Sequence, residues 1–121
     1  MSLDYVLAPE AEADLDALLL WSQTHFGAAV REGYEELLRA AFTDVSDDPE
    51  RAGSHERPEL GDRIRSRHLA LSRDRANPSV RRIASPRHFV IYRHDGDAAT
   101  ILRILHDAMD LPRHRPGIAG R

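Results

Sequence analysis

Three side chains near the ends of a predicted β-hairpin, Arg93, Arg103 and His106, are of the types that phosphate chemistry needs. An arginine fork can hold a phosphate, and a histidine exchanges protons near neutral pH. If they converge from adjacent strands, they could cleave an RNA phosphodiester by general acid–base catalysis. A structural interpretation competes and is favoured: Arg103 pairs with an acidic residue of a helix, and His106 closes the sheet edge through a backbone hydrogen bond.

Other catalytic and metal chemistry has little support in the sequence. The chain has seven histidines, but no two stand in an HxH or HxxxH pattern that would place them together as metal ligands. It has no cysteine, no Gly-x-Ser-x-Gly turn and no glycine-rich phosphate loop. We therefore expect neither a metal centre nor a cofactor.

The hairpin that carries the three side chains is the clearest element. Two apolar runs, His88–Arg93 and Thr100–His106, flank an Asp-Gly pair, which is a strong signal for a tight hairpin turn. Both alternating faces of the runs are apolar, so the hairpin needs cover above and below. Helices can cover one face. The second face is then a candidate partner surface, for which we select Val90, Tyr92 and Arg103.

Two helices are predicted before the hairpin, at residues 9–25 and 28–45, following a short strand at residues 3–7. Pro9 suits the first turn of the first helix, and Gly27 closes that helix in a left-handed conformation. Apolar residues recur at helical spacing in both segments. The predicted core-facing positions are Ala11, Leu15, Leu18, Leu19, Ser22 and Phe26 in the first helix, of which Ser22 is the one weak position, and Val30, Tyr34, Leu37, Leu38, Ala41, Phe42 and Val45 in the second.

Leu20 and Trp21 fall outside the apolar stripe of the first helix. In one interpretation Trp21 folds over a loop or the sheet edge, and Leu20 is an ordinary exposed leucine. In the other, the two side chains form a docking patch for an apolar partner, because exposed tryptophan is enriched at interaction hot spots. The sequence leaves both open.

The remaining segments have weaker patterns. A surface loop is predicted at residues 46–62, because prolines and glycines interrupt it, and strands are predicted at 64–71 and 80–83. One helical turn is predicted at 107–111, followed by a flexible tail at 113–121. Together these elements predict a single α+β domain over residues 1–121, with a helical hairpin packed on a sheet of about four strands.

Charge divides the chain into two halves of opposite sign. Residues 1–62 carry fifteen acidic residues against four arginines, a net charge of −11, and residues 63–121 carry thirteen arginines against five aspartates, a net charge of +8. All seventeen basic residues are arginine, which reflects either a coding bias or a need for forked contacts. With no apolar leader or membrane span in the sequence, we expect a cytoplasmic protein without membrane contact.

The order and spacing of these residues resemble ParE-type toxins of the ParE/RelE superfamily, which belong to bacterial type II toxin–antitoxin modules. The resemblance covers nearly the whole chain. It is carried by Tyr5 ahead of Ala11, Asp14 and Leu15, by Phe26-Gly27 followed by Tyr34, by Pro49 with Gly53, by His88–Arg93, and above all by Ile101–His106 with Met109-Asp110 and His114. The long, basic segment Ser72–Pro86 departs from the family pattern.

The resemblance implies a helical hairpin against a curved, mainly antiparallel sheet, and a ParD-like antitoxin whose disordered tail folds on the toxin. ParE-type members poison DNA gyrase by binding it and need no catalytic residue, whereas RelE-type members cut messenger RNA on the ribosome. The resemblance is closer to the ParE branch, and a net charge of −3 argues against direct nucleic-acid binding. Two alternatives stay open: a RelE-like ribosome-dependent endoribonuclease using Arg93, Arg103 and His106, and a degenerate, nontoxic binding module.

Overall fold

A computed structural model of the chain describes residues 5–95 and 98–108. In chain order its elements are β1 (Tyr5–Leu7), α1 (Pro9–Phe26), α2 (Ala28–Asp47), β2 (His55–Glu56), β3 (Ile64–His68), a 3₁₀ helix (Leu69–Arg75), β4 (His88–Asp95) and β5 (Ala98–His106). The strands form one mixed sheet in the order β1-β5-β4-β3-β2, in which β1 is parallel to β5 and the other pairs are antiparallel. The predicted α+β class is confirmed, with five strands instead of about four.

Several predicted features lie outside the described residues. They are residues 3–4 of the first strand, the hairpin turn at 96–97, the end of the helical turn at 109–111 and the tail at 113–121. The hairpin itself is confirmed, because β4 and β5 pair along their lengths up to Asp95 and Ala98. Within the described ranges, no helix is long and apolar enough to cross a membrane.

The two helices form the predicted hairpin. Gly27 joins them with a φ of 91°, a conformation that glycine adopts without a Cβ clash. Across this joint the Arg31 guanidinium donates to the side-chain oxygen of Gln23 at 2.6 Å. At the other end, the ring of Tyr5 in β1 lies 5.1 Å from that of Phe42 near the end of α2. The helices therefore run antiparallel.

A helix-facing core fills the space between the helical hairpin and one face of the sheet. Its buried members are Ala11, Leu18, Leu19, Leu37, Leu38, Ala41, Phe42, Val45, Leu69, Val90, Tyr92, Ala99, Ile101 and Ile104. The helical periodicity predicted most of its α1 and α2 positions. Two predicted apolar positions lie outside it. Val30 is only partly buried and is not a member of this core. Phe26 is 61% exposed, and its ring packs edge-on against Trp21 at the end of α1 instead of entering the core.

The opposite face of the sheet is also buried. A far-face cluster packs together there, consisting of Ala8, Leu60, Ile64, Ile91, Leu102 and Leu105, with Phe89 partly buried beside it. Leu60 comes from the segment that was predicted to be only a surface loop, and the Arg57 guanidinium lies 5.6 Å from the centre of the Phe89 ring. The expectation that this face is open to a partner is therefore corrected.

A β-bulge in β5 decides which side chains face the helices. Ile91 pairs with Arg103 and Tyr92 pairs with Ile101, so Leu102 is an extra residue between the two pairs. Strict alternation would place Ile101 with Leu105 on one face. Because of the bulge, Ile101 instead shares the helix-facing core with Ile104, while Leu102 joins Leu105 in the far-face cluster.

The segment between β3 and β4 differs from its prediction. The strand predicted at 64–71 ends at His68, whose Nδ1 accepts a hydrogen bond from the Ala70 N–H and caps the 3₁₀ helix. The strand predicted at 80–83 is wrong. This stretch lies against α2 so closely that a Cβ on Gly33 would clash with the carbonyl oxygen of Arg81.

A buried polar network fixes the 3₁₀ helix to α2. The Asp44 carboxylate accepts from the Ser72 hydroxyl at 2.6 Å and lies 3.4 Å from Nη1 of Arg67. Arg51 adds an ion pair at 3.0 Å from the same carboxylate. Since Asp44, Arg67 and Ser72 are all buried, the network is structural and leaves no open site around the carboxylate.

Candidate functional site

Arg103 is held by α1. Its Nε and Nη2 atoms donate to the two oxygens of Asp14 at 2.7 and 3.1 Å, and the N–H of Ile104 donates to the same carboxylate at 2.9 Å. Arg103 and Ile104 lie just beyond the bulge at Leu102, where the pairing of β5 with β1 has already ended at Ile101. The hydrogen bond that Arg103 donates to the Asp14 carboxylate raises the pKa of Arg103. This is the structural pairing that the sequence favoured.

The three residues of the nuclease alternative do not converge. Arg93 pairs with Thr100 at one end of the hairpin, and His106 pairs with His88 at the other. Positions 88 and 93 are five residues apart on β4, which is roughly 16 Å at about 3.3 Å per residue. Arg103 lies between them and is engaged by α1. The geometry therefore gives no common phosphate site to this trio.

Val90 and Tyr92, selected as partner contacts, have no exposed surface. Both belong to the helix-facing core, and the Tyr92 hydroxyl hydrogen-bonds with Ser54 and with the carbonyl oxygen of Pro49. A side chain without accessible surface offers no contact area to a partner in this conformation. Of the partner contacts selected from the sequence, Leu20 and Trp21 are exposed, whereas Arg103 is bound by Asp14.

The outer side of α1 carries an exposed apolar surface, which we call the aromatic patch: Leu20, Trp21, His25 and Phe26. Leu20, Trp21 and Phe26 are 63%, 47% and 61% exposed. The Trp21 ring stacks on His25 with centroids 4.6 Å apart and meets Phe26 edge-on at 5.4 Å. The rings hold one another in place, so the patch presents large apolar surface at a small cost in side-chain entropy on binding.

A concave site adjoins the aromatic patch and shares Trp21 with it. This α1 groove has a volume of about 460 Å³ and is lined by Asp14, Ala17, Leu18, Trp21, Tyr34, Arg87, His88, Ile104 and His106. Its walls are largely apolar. Its polar groups come from Asp14 of α1, from Tyr34 of α2, and from the start of β4 and the end of β5. A groove with an apolar wall and one polar end is suited to a side chain of a partner protein.

Two histidines form the polar end of the α1 groove. The rings of His88 and His106 meet edge-on with centroids 5.1 Å apart. Burial, followed by the neighbouring His106, lowers the pKa of His88 to about 4, so this imidazole is neutral at pH 7. Its Nδ1 is buried and has no hydrogen-bond partner among the described residues.

A charged cluster secures the end of β5 next to these histidines. The Asp107 carboxylate accepts from Nε of Arg87 at 3.0 and 3.1 Å and contacts Nε2 of His68 at 3.0 Å. These two partners hold the pKa of Asp107 well below its usual range. Asp107 therefore remains ionised and neutralises Arg87 under ordinary conditions.

Several residues of this site were not identified from the sequence. Phe26 and Tyr34 were assigned to the core-facing stripes, because helical periodicity does not show where the surface beneath a helix ends. His88 was read only as the start of a strand, and Arg87 only as part of a turn. The Thr100–His106 run predicts a strand that ends at His106. It does not predict that His106 pairs with His88, because that pairing depends on strand register.

Two further features limit the chemistry that the described residues can support. No group of three or more histidine, cysteine, aspartate or glutamate side chains is arranged to hold a metal ion within residues 5–95 and 98–108. A second concavity of about 680 Å³ lies beside β2 and β3, where Arg63, Arg65 and His94 are interspersed with Glu50 and Glu56. Its mixed charge favours no particular ligand.

Comparison with known protein families identifies a family for this chain. The model of the family described as "ParE toxin of type II toxin-antitoxin system, parDE" matches residues 5–111, which include all of the elements described above. No curated protein matches the chain. Because the family model covers most of the sequence and the resemblance of the β5 motif points the same way, the chain belongs to the ParE toxin family of type II toxin–antitoxin systems.

Proposed function

We propose that this chain inhibits DNA gyrase by protein–protein binding in the cytoplasm, and that a ParD-like antitoxin neutralises it. The observation that carries the proposal is the aromatic patch with its adjoining α1 groove, a large apolar surface exposed on the outside of a well-packed core. Monomeric proteins rarely expose contiguous apolar surface of this kind without a partner to cover it.

A binding mechanism also agrees with the state of the charged groups. Arg103 is neutralised by Asp14, and Arg93 and His106 lie at opposite ends of the hairpin. An inhibitor of this type stabilises one state of its target, so it needs surface complementarity and no reacting group. The proposal therefore assigns no catalytic residue to the chain.

The antitoxin part of the proposal rests on charge and apolar surface together. An antitoxin tail with apolar anchors would occupy the aromatic patch and the α1 groove, and acidic residues in the tail would meet the arginine-rich carboxy-terminal half of the chain. Arg82 and Arg87 are 57% and 62% exposed there. We expect the association rate to fall as salt is added, because exposed charges steer the encounter.

Controlled expression in a bacterial host tests the target. We expect DNA supercoiling to change and the DNA-damage response to begin before translation stops. The matched variants are Trp21→Ala, which removes the centre of the aromatic patch, and Leu71→Ala, which removes a 48% exposed leucine from the 3₁₀ helix. Only Trp21→Ala is expected to relieve the effect.

Two results would contradict the gyrase proposal. Rapid cleavage of messenger RNA with normal supercoiling would support the endoribonuclease alternative, and alanine at Arg93, Arg103 and His106 would then be the next variants to make. A folded protein that binds an antitoxin but has no effect on growth would support the nontoxic binding module.

A further inference from the structure

His88 is an imidazole that the free chain leaves unsatisfied. Its Nδ1 is buried without a hydrogen-bond partner among the described residues, although the ring lines the α1 groove. Withdrawing a polar atom from water without replacing its hydrogen bond is unfavourable. A partner group that enters the groove would contact this ring, one nitrogen of which the described residues leave without a hydrogen bond.

The two carboxylates near the His88 and His106 rings are each already paired with an arginine. The chargeable groups that face His88 are Asp14 of α1, Tyr34 of α2, His68 of β3, His106 of β5, and the flanking Arg87 and Asp107. Both carboxylates in this set already bind a cation, since Asp14 holds Arg103 and Asp107 holds Arg87. An anion brought by a partner would therefore meet no competing negative charge that is unpaired.

His106 provides a second contact for such an anion. Its side chain is 39% exposed, and its Nδ1 accepts a hydrogen bond from the N–H of Ala108. When the neutral ring accepts at Nδ1, its proton is on Nε2, which can then donate to a carboxylate. The polar end of the groove thus combines one accessible donor with one buried imidazole that can take up a proton.

We propose that the α1 groove receives a segment of the antitoxin that places an apolar side chain against Trp21 and Ile104 and a carboxylate beside His88 and His106, and that this binding transfers a proton from solvent to His88. The inference rests on the proposed function and specifies the chemistry of the antitoxin at this site. The apolar walls of the groove favour the apolar side chain of the antitoxin, and the two imidazoles favour its carboxylate.

The sign of the pH dependence follows from the two states of His88. In the free chain its pKa is lowered to about 4, so the ring carries no proton at neutral pH. A carboxylate beside the ring raises that pKa, so the complex binds a proton that the free chain does not. Affinity is then greater at low pH, and it decreases as the pH rises towards the pKa of the bound state. Uptake of one proton changes the dissociation constant by at most tenfold per pH unit.

Calorimetric titration of the full-length chain with the antitoxin encoded in the adjoining reading frame tests this inference. We expect the dissociation constant to decrease at least tenfold from pH 8 to pH 6, with about 100-fold as the limit for one proton bound over two pH units. Buffers of different ionisation enthalpy measure that proton directly. His88→Gln should abolish most of the dependence, and the matched control His55→Gln, an exposed histidine on β2, should retain it.

A second measurement does not depend on the folding of the His88→Gln variant. The nuclear magnetic resonance titration of the His88 ring in the wild-type chain should give a higher pKa in the complex than in the free protein. A complex whose affinity is independent of pH, with an unchanged His88 pKa, would overturn this inference and leave the proposed function intact. Failure to form any complex would overturn the antitoxin part of the proposed function together with the inference.

Discussion

The far-face cluster and the aromatic patch are both apolar, and the chain treats them in opposite ways. The far face of the sheet is buried, with Leu60 and Ile64 packed against residues of β4 and β5. On the aromatic patch, Leu20 and Phe26 stay more than half exposed, and the Phe26 ring packs against aromatic rings of the same helix. Apolar composition therefore predicts that a surface will be buried. Only the fold decides whether the chain itself buries that surface or leaves it exposed.

The largest effect is expected from Leu60→Ala. Leu60 is fully buried in the far-face cluster, so its truncation should leave a cavity and lower the free energy of unfolding by about 2–5 kcal/mol. Leu20→Ala, on the aromatic patch, should change it by less than about 0.5 kcal/mol. Urea denaturation of both variants measures the contrast. An equal decrease in the free energy of unfolding in both variants would mean that the two surfaces do not differ in burial.

Trp21→Ala should have the opposite effect, weakening partner binding and leaving the stability of the free chain nearly unchanged. The ring is 47% exposed and borders the α1 groove, so its removal should weaken antitoxin binding by about 2 kcal/mol, which is roughly 30-fold in the dissociation constant. The stability of the free chain should stay nearly unchanged. Dissociation constants for the antitoxin, measured with the immobilised chain and with Leu71→Ala as the control variant, test this prediction. Wild-type affinity in the folded Trp21→Ala variant would exclude the patch from the interface.

The bulge in β5 decides which of its side chains join the far-face cluster and which join the helix-facing core, and Asp14→Asn should weaken the contacts of α1 with the residues beside it. The amide loses the charge that Arg103 binds and one of the acceptors that the carboxylate provides for Arg103 and the Ile104 N–H. We expect the free energy of unfolding to fall by about 1–3 kcal/mol. Asp16→Asn, at an exposed position on α1, is the matched control and should have little effect. Similar stability of the two variants would remove Asp14 from this role.

A pH-dependent change in stability is expected from His88. Its pKa is about 4 in the folded chain and near its ordinary value when unfolded, so the unfolded state binds more protons between roughly pH 6.5 and pH 4. The free chain should therefore lose stability as the pH falls through this range. Thermal unfolding of His88→Gln should show less of this loss than that of the wild-type chain. An unchanged profile would mean that His88 does not carry the dependence.

The sequence predicted the helical hairpin and the β4–β5 hairpin because their signals are local. Helical spacing selected Leu37 and Leu38, and alternating apolar runs around a turn selected β4 and β5. Where local patterns failed, a tertiary contact decided the outcome. The bulge at Leu102 is accompanied by a hydrogen bond from Ile104 to Asp14, which is 90 residues away in sequence.

The candidate site was predicted only in part, for the same physical reason. Leu20 and Trp21 were selected because they fall outside the stripe of α1, and that signal is local. Val90 and Tyr92 were selected for a face whose cover could not be assigned from the sequence, and they are buried under the helices. The pairing of His88 with His106 follows from register and has no signature in a single strand.

The central claim is that this chain acts by binding through the exposed side of α1, and inhibition of purified DNA gyrase tests it most directly. In a supercoiling assay, the wild-type chain should inhibit in proportion to its concentration, without cleavage of added RNA. Trp21→Ala should lose most of that inhibition, whereas Arg93→Ala and Leu71→Ala should retain it. Full inhibition by Trp21→Ala, or no inhibition by the folded wild-type chain, would contradict the claim.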